Sequence, residues 1–139
     1  MNFFGMMDIA ASGLAAQRLR METIASNLAN ANATRTAEGG PYRRRDVIFA
    51  AESVAGPFRE ALDGHLRQVQ VRAIVEDPSP ARLRYEPGHP DADSQGYVAY
   101  PNVDAVAEMV NLLSATRSYE ANLTVMDAAK NLMLRALEI

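Results

Sequence analysis

The histidines and cysteines, which most often bind transition metals, are few in this chain. The chain contains two histidines, His65 and His89, and no cysteine, so it has no cluster of imidazole and thiolate groups at the spacing that holds zinc. The run Asp91–Gly96 has the oxygen spacing of the first half of a calcium loop, but the twelfth position is Asn102 instead of a glutamate. We therefore predict no metal site and no cofactor.

The sequence also contains no pattern that marks a catalytic site or a phosphate-binding site. Ser53, Asp63 and His65 are of the residue types found in catalytic triads, but their spacing is generic and a triad is defined by geometry. The basic cluster Arg43–Arg45 has acidic neighbours on both sides, which favours pairing with an acidic protein surface over binding of phosphate. Since the net charge is -3, we predict no nucleic-acid partner. The chain is predicted not to be an enzyme, with no catalytic residue and no small-molecule substrate.

Prolines and glycines divide the chain into three segments. All seven prolines and six of the eight glycines lie between Gly39 and Pro101, so only the two ends permit long helices. We predict a mainly α protein, in which long N- and C-terminal helices form an elongated coiled-coil-like pair with a short-stranded, β-rich insert. The predicted parts are an N-terminal axial helix over 1–32, an extended or β-rich segment over 33–101, and a C-terminal axial helix over 102–139.

Within the middle segment, alternating valines predict a half-buried strand over 69–75, ended by prolines. Shorter extended segments are expected at 47–49, 83–85 and 96–100. Asn102 is the candidate N-cap of the C-terminal helix.

Both terminal segments carry apolar residues at alternating spacings of three and four, which is typical of helices that pack as coiled coils. The seam of the C-terminal helix is predicted to run through Ala105, Met109, Leu112, Thr116, Tyr119, Leu123, Met126, Lys130, Met133 and Leu137. A second apolar stripe on this helix starts with Val103, Val106, Val110 and Leu113 and implies a second packing partner. The helix would be about 54 Å long, longer than the diameter of about 37 Å expected for a compact globule, so we predict association with other chains.

The predicted subunit interface consists of seam residues and of two asparagines at the end of the first helix. These residues are Leu14, Met21, Ile24, Asn27, Leu28, Asn30, Met109, Leu112, Tyr119, Leu123, Met126 and Met133.

The chain has no uncharged apolar run of about 18 residues, so we expect no membrane-spanning helix. Its first residues also lack the basic region of a Sec signal.

One stretch of the sequence resembles a known signature. The segment 26–34, SNLANANAT, following the SGL at 12–14, resembles the N-terminal signature of bacterial flagellar axial proteins. Further motifs narrow the resemblance to the proximal rod family of the flagellar basal body and extend it over essentially the whole chain. They are PYR at 41–43, YEPGHP at 85–90, GYV at 96–98, PNVD at 101–104, MVN at 109–111 and SYEAN at 118–122.

The resemblance implies a structural subunit of the rod, exported without a Sec signal by the flagellar type III export apparatus and assembled in the periplasm. The implied partners are other flagellar rod proteins, copies of the chain itself, and ring or adaptor components at the rod base. Terminal helices would pack in the wall of a tubular drive shaft that transmits torque. A stand-alone coiled-coil adaptor stays open as an alternative, and would form a small closed oligomer instead of an open helical assembly.

Overall fold

The computed structural model describes residues 3–53 and 66–138. Two long helices, α1 (Phe3–Ala29) and α2 (Ala105–Leu137), stand at the ends of the chain. Between them lie four strands: β1 (Arg45–Ser53), β2 (Arg67–Glu76), β3 (Arg82–Tyr85) and β4 (Tyr97–Tyr100). The predicted fold class, helical ends with a small β-rich middle, is confirmed. Asp63 and His65, weighed above as triad members, lie outside the described residues.

The described strands form two separate antiparallel pairs. In the longer pair, β1 and β2 align from Arg45↔Glu76 to Ser53↔Arg67, with a bulge between Ile48 and Phe49. This ribbon packs on α1, where the Ser12 hydroxyl accepts a hydrogen bond from the Val69 amide at 3.1 Å. The predicted strand over 69–75 is therefore present and longer than expected.

The start of α2 differs from the prediction. Asp104, not Asn102, is the N-cap, and its carboxylate accepts bonds from the amides of Val106 and Ala107. Asn102 is unavailable for capping because its side chain binds two loops: it accepts from the Arg44 amide at 2.9 Å and donates to the carbonyls of Asp77 and Ser79.

The two helices pack along each other through small side chains. On α1 the buried residues include Ala10, Gly13 and Ala16, and on α2 Ala115 and Ala129. Gly13 makes room for the Asn122 side chain, since a Cβ at Gly13 would lie 2.8 Å from the Asn122 amide nitrogen. Small residues thus allow the two backbones to approach closely.

This close packing changes the phase of the predicted seam on α2. Leu112, Tyr119, Met126 and Met133 are half-buried, as expected. The other contact positions are Glu108, Ala115, Asn122 and Ala129, each one residue before the predicted Met109, Thr116, Leu123 and Lys130. Of these four predicted residues, Thr116 is half-buried and the other three are exposed. Alanine and glycine set the contact distance, so the larger Met109 and Leu123 lie beside the contact with 56% and 44% of their surface exposed.

Candidate assembly site

A fully buried asparagine joins the end of α1 to the rest of the fold. The Asn27 amide donates to the Arg45 carbonyl at 2.8 Å and to Glu108 Oε2 at 2.9 Å. Its carbonyl oxygen accepts from the Arg45 amide and from the Tyr42 hydroxyl, both at 2.9 Å. These four bonds use the whole hydrogen-bonding capacity of the side chain. Asn27 therefore holds α1, β1 and α2 in one arrangement.

A buried ion pair continues this network. Glu108, in the first turn of α2, is only 1% exposed, and its Oε1 accepts from Arg44 Nε at 2.7 Å. Burial lowers the pKa of Arg44, but the bond to Glu108 and the nearby Asp46 outweigh this and raise it overall. The guanidinium and the Asn27 amide together compensate the cost of removing the carboxylate from water. We call Asn27, Tyr42, Arg44, Asn102 and Glu108 the polar clasp.

The sequence drew attention to only part of the polar clasp. Asn27 is among the predicted subunit-interface residues, whereas Glu108 is not among the residues predicted from the sequence to form a site. A signal was present: Glu108 stands four residues before Leu112, at seam spacing on an otherwise apolar face. A charged residue at such a position needs a buried partner, and the basic cluster supplies one.

The predicted interface residues fall into three groups. Ile24 and Asn27 are buried inside the subunit, whereas Met109 and Leu123 are exposed. The half-buried residues are Leu14, Met21, Leu28, Asn30, Leu112, Tyr119, Met126 and Met133. Leu28 keeps part of its surface in solvent. The Asn30 amide donates to the Ser26 carbonyl at 2.9 Å, where α1 ends.

The start of α2 presents an apolar face to solvent. Val106, Met109, Val110 and Leu113 are 71%, 56%, 61% and 64% exposed. Their spacing of i, i+3, i+4 and i+7 places them on one side of the helix. We call these four residues the α2 stripe. Exposed apolar patches of this kind mark sites of protein association, and further along α2 Val125, Leu132, Leu134 and Leu137 are also exposed.

The acidic loop uses its carboxylates within the chain. Asp93 accepts from the amides of Gln95 and Tyr97. The hydroxyl of Thr34 donates to Asp91 at 2.8 Å and, together with the paired Arg35, holds the pKa of Asp91 below its ordinary value. Within residues 3–53 and 66–138, no group of three or more histidine, aspartate or glutamate side chains is placed to hold a metal ion.

The basic cluster is also engaged within the subunit. Besides Arg44, the Arg45 guanidinium lies 3.6 Å from Glu76 and 5.8 Å from the Tyr42 ring centre, while Arg43 is exposed. The expectation of pairing with a neighbouring acidic chain therefore falls on Arg43 alone. Neither helix, over its described length, is long and apolar enough to cross a membrane.

The chain is similar to known proteins over its whole length. Residues 7–35 match the family described as flagella basal body rod protein, and residues 94–139 match the family described as flagellar basal body rod FlgEFG protein C-terminal. The chain is 45% identical to the flagellar basal-body rod protein FlgC of Borreliella burgdorferi, over 100% of this chain and 98% of that protein. FlgC of Salmonella typhimurium is also 45% identical, with 100% and 98% covered. FlgC of Bacillus subtilis is 44% identical, with 100% and 99% covered.

Proposed function

Because this chain belongs to the FlgC family of flagellar basal-body rod proteins, and is thus a structural subunit of the rod and not an enzyme, we propose that it joins the rod wall through exposed faces of α2. The observation that carries this proposal is the α2 stripe, which stays in solvent although the subunit is folded around it. Full-length similarity to rod subunits favours this function over a stand-alone adaptor.

In this proposal the two helices have different roles. The polar clasp and the small-residue contact hold α1 against α2, so that each subunit enters the assembly with the pair already aligned. Met109 and Leu123, which the α1 contact leaves exposed, then pack on neighbouring subunits. Ile24 and Asn27 act inside the subunit. Half-buried seam residues such as Tyr119 and Met126 keep part of their surface in solvent, and this part is available to neighbouring subunits.

The proposed neighbours are copies of this chain, other flagellar rod proteins, and ring or adaptor components at the rod base. The assembled rod would be the tubular drive shaft that transmits torque in the periplasm. We further propose that the chain reaches it through the flagellar type III export apparatus, without a Sec signal. Loss of the chain from the periplasm of cells that lack this apparatus is the expected result. Normal delivery in such cells would contradict the export route.

The test of the assembly proposal is a single carboxylate placed on the α2 stripe. Val110→Asp puts an unpaired charge at a contact that assembly would desolvate, whereas Val110 is 61% exposed in the subunit and its replacement should leave folding intact. Thr124→Asp introduces the same group at an exposed position further along the helix and serves as the control. We expect normal circular dichroism for both variants, with rods and motility lost only for Val110→Asp. Normal rods with Val110→Asp would refute the role of the α2 stripe.

A further inference from the structure

The connection between β3 and β4 holds a histidine in a defined position. His89 belongs to the motif YEPGHP at 85–90. Its amide donates to the Glu86 carbonyl at 3.0 Å, and its carbonyl accepts from the Ala92 amide at 3.1 Å. The half-buried imidazole lies edge to face with the Tyr100 ring, with 6.4 Å between the ring centres. Both the backbone and the ring of His89 are therefore fixed.

One nitrogen of this imidazole is a hydrogen-bond acceptor. The Asp91 amide donates to His89 Nδ1 at 3.0 Å. Because an imidazole nitrogen accepts only when it is unprotonated, the proton of the neutral ring lies on Nε2. The Asp77 carboxylate makes the same contact with the Ser79 amide, two residues further along the chain. His89 thus makes with a titratable nitrogen a contact that a carboxylate makes elsewhere in the chain.

Asp91 joins this loop to the segment that follows α1. Its carboxylate accepts from the Thr34 hydroxyl at 2.8 Å and pairs with Arg35. The amide that binds His89 and the carboxylate that binds Thr34 belong to the same residue. The imidazole bond therefore fixes the position from which this carboxylate reaches residues 34–35.

The charges near the imidazole largely offset each other. The charged and titratable groups of this region are those of Arg35, Arg84, Glu86, Asp91 and Tyr100. Arg35 pairs with Asp91, and Arg84 lies 3.3 Å from Glu86. The hydrogen bond to Glu86 raises the pKa of Tyr100, so this hydroxyl stays neutral. The Nδ1 bond is consequently the contact that a proton on the ring changes directly.

We infer that His89 is a pH-sensitive latch, whose neutral ring holds the 89–91 loop on residues 34–35 and whose protonation releases it. A proton on Nδ1 removes the acceptor and places an N–H group against the Asp91 amide. The charged ring then turns toward the Asp91 carboxylate, where it competes with Thr34 and Arg35. Imidazole ordinarily changes its charge between about pH 5 and 8, a range in which carboxylates remain ionised.

The release is local because other bonds hold the β3–β4 pair in place. Arg82 Nε donates to the Pro101 carbonyl at 3.0 Å. The Asn102 side chain binds the Arg44 amide and the carbonyls of two loop residues. None of these bonds involves an imidazole, so the latch opens without unfolding the subunit. The inference is independent of the assembly proposal, since it concerns contacts inside one subunit.

Two variants separate the acceptor from the proton. His89→Asn offers an amide oxygen to the Asp91 amide, as asparagine commonly does two residues along the chain, but it does not titrate. His89→Ala offers no acceptor. The measurement is hydrogen exchange of the Asp91 amide, followed by NMR on the purified full chain at about pH 7.5 and about pH 5.5, on either side of the ordinary imidazole titration.

Exchange is expressed at each pH as protection relative to an unstructured peptide. We expect the wild-type protection to fall by about two- to tenfold on acidification, the range for one hydrogen bond. His89→Asn should stay protected at both pH values, and His89→Ala should be unprotected at both.

The same samples report on the ring and on the segment after α1. At the higher pH, the nitrogen-15 shifts of the His89 ring, identified by their absence in His89→Asn, should show Nδ1 unprotonated. The amide signals of Thr34 and Arg35 should shift with pH in step with the ring in the wild type. They should stay constant in His89→Asn.

Any of four results would overturn the inference. They are a ring that carries its proton on Nδ1 at the higher pH, wild-type protection that is equal at both pH values, a loss of protection in His89→Asn equal to that of the wild type, and signals of Thr34 and Arg35 that do not follow the ring. Where asparagine leaves the amide unprotected at both pH values, the ring shifts and the wild-type signals decide the outcome.

Discussion

Replacing Asn27 by alanine should weaken the contact between the end of α1 and the start of α2. Asn27→Ala removes four hydrogen bonds at once. The groups left behind are the Glu108 carboxylate, the Tyr42 hydroxyl and the backbone of Arg45. Because Asn27 and Glu108 are 0% and 1% exposed, bulk solvent does not reach these groups, and a single water in the space vacated by the amide restores only part of the bonds. We therefore expect a loss of stability much larger than one exposed hydrogen bond would produce.

The size of this loss follows from what each group retains. A buried polar group without a partner costs about 1–3 kcal/mol. Glu108 keeps Arg44 at 2.7 Å, and the Tyr42 hydroxyl keeps the Ser26 hydroxyl at 3.5 Å, so the individual losses are not fully additive. We expect a decrease of about 3–5 kcal/mol in the free energy of unfolding, as for the removal of one partner from a buried pair. This is a large part of the total of about 5–15 kcal/mol typical of a folded domain.

The matched control lies one helical turn away. Asn30→Ala removes a single side-chain bond, to the Ser26 carbonyl, and should cost about 0.5–1.5 kcal/mol. Urea unfolding of both purified variants, followed by circular dichroism, measures the difference. If the two free energies of unfolding agree within about 0.5 kcal/mol, the polar clasp does not have the stabilising role derived from its burial.

Three further outcomes are expected. Gly13→Ala should destabilise the helix pair by about 1–3 kcal/mol because Asn122 must move. Gly5→Ala has open space around its Cβ and should stabilise α1 by about 0.5–1 kcal/mol. Thermal unfolding should therefore show a lower melting temperature for the first variant and a higher one for the second. Leu123→Asp should leave the subunit folded, since Leu123 is 44% exposed, but abolish rods in cells, and a motile strain would speak against its place in a contact. The hydrogen bond that lowers the pKa of Asp91 stabilises the folded chain at pH values above the ordinary carboxyl pKa of about 3.9. This contribution is lost as the pH falls through the lowered pKa. Asp91→Asn should therefore make the melting temperature depend less on pH in the acid range.

The helices and strands could be predicted from the sequence because the positions of the prolines and the spacing of the apolar residues indicated the same division of the chain. Prolines confined to the middle segment excluded long helices there, and heptad spacing marked α1 and α2. The phase of the α2 seam could not be predicted from hydrophobicity, which ranks Met109 above Glu108. Glu108 takes the seam position because Arg44 and Asn27, 64 and 81 residues away in sequence, meet its carboxylate. Partners at such distances are visible only once the chain is folded.

In the β3–β4 ribbon, too, hydrophobicity alone does not predict which side chains are exposed. The extended segment expected at 83–85 is present as β3, but hydrophobicity alone would place Leu83 and Tyr85 on the buried side. Arg82 and Arg84 lie on the opposite face and also keep exposed surface; there Arg82 donates to the Pro101 carbonyl and Arg84 lies near the Tyr100 ring. The facing of a short strand depends on such partners and not on its own pattern.

The small-residue contact between α1 and α2 has a consequence for how growth of the rod begins. Alanine and glycine bury little apolar area when the helices meet, while larger side chains such as Leu113 stay outside. Two free subunits that meet in solution cover only one such face each and must still offset their lost translational and rotational freedom. A subunit that arrives at an existing end covers several faces at the same entropic cost. Addition to an existing end should therefore proceed at subunit concentrations that are too low for new assemblies to nucleate. New copies would then extend a structure that is already in place.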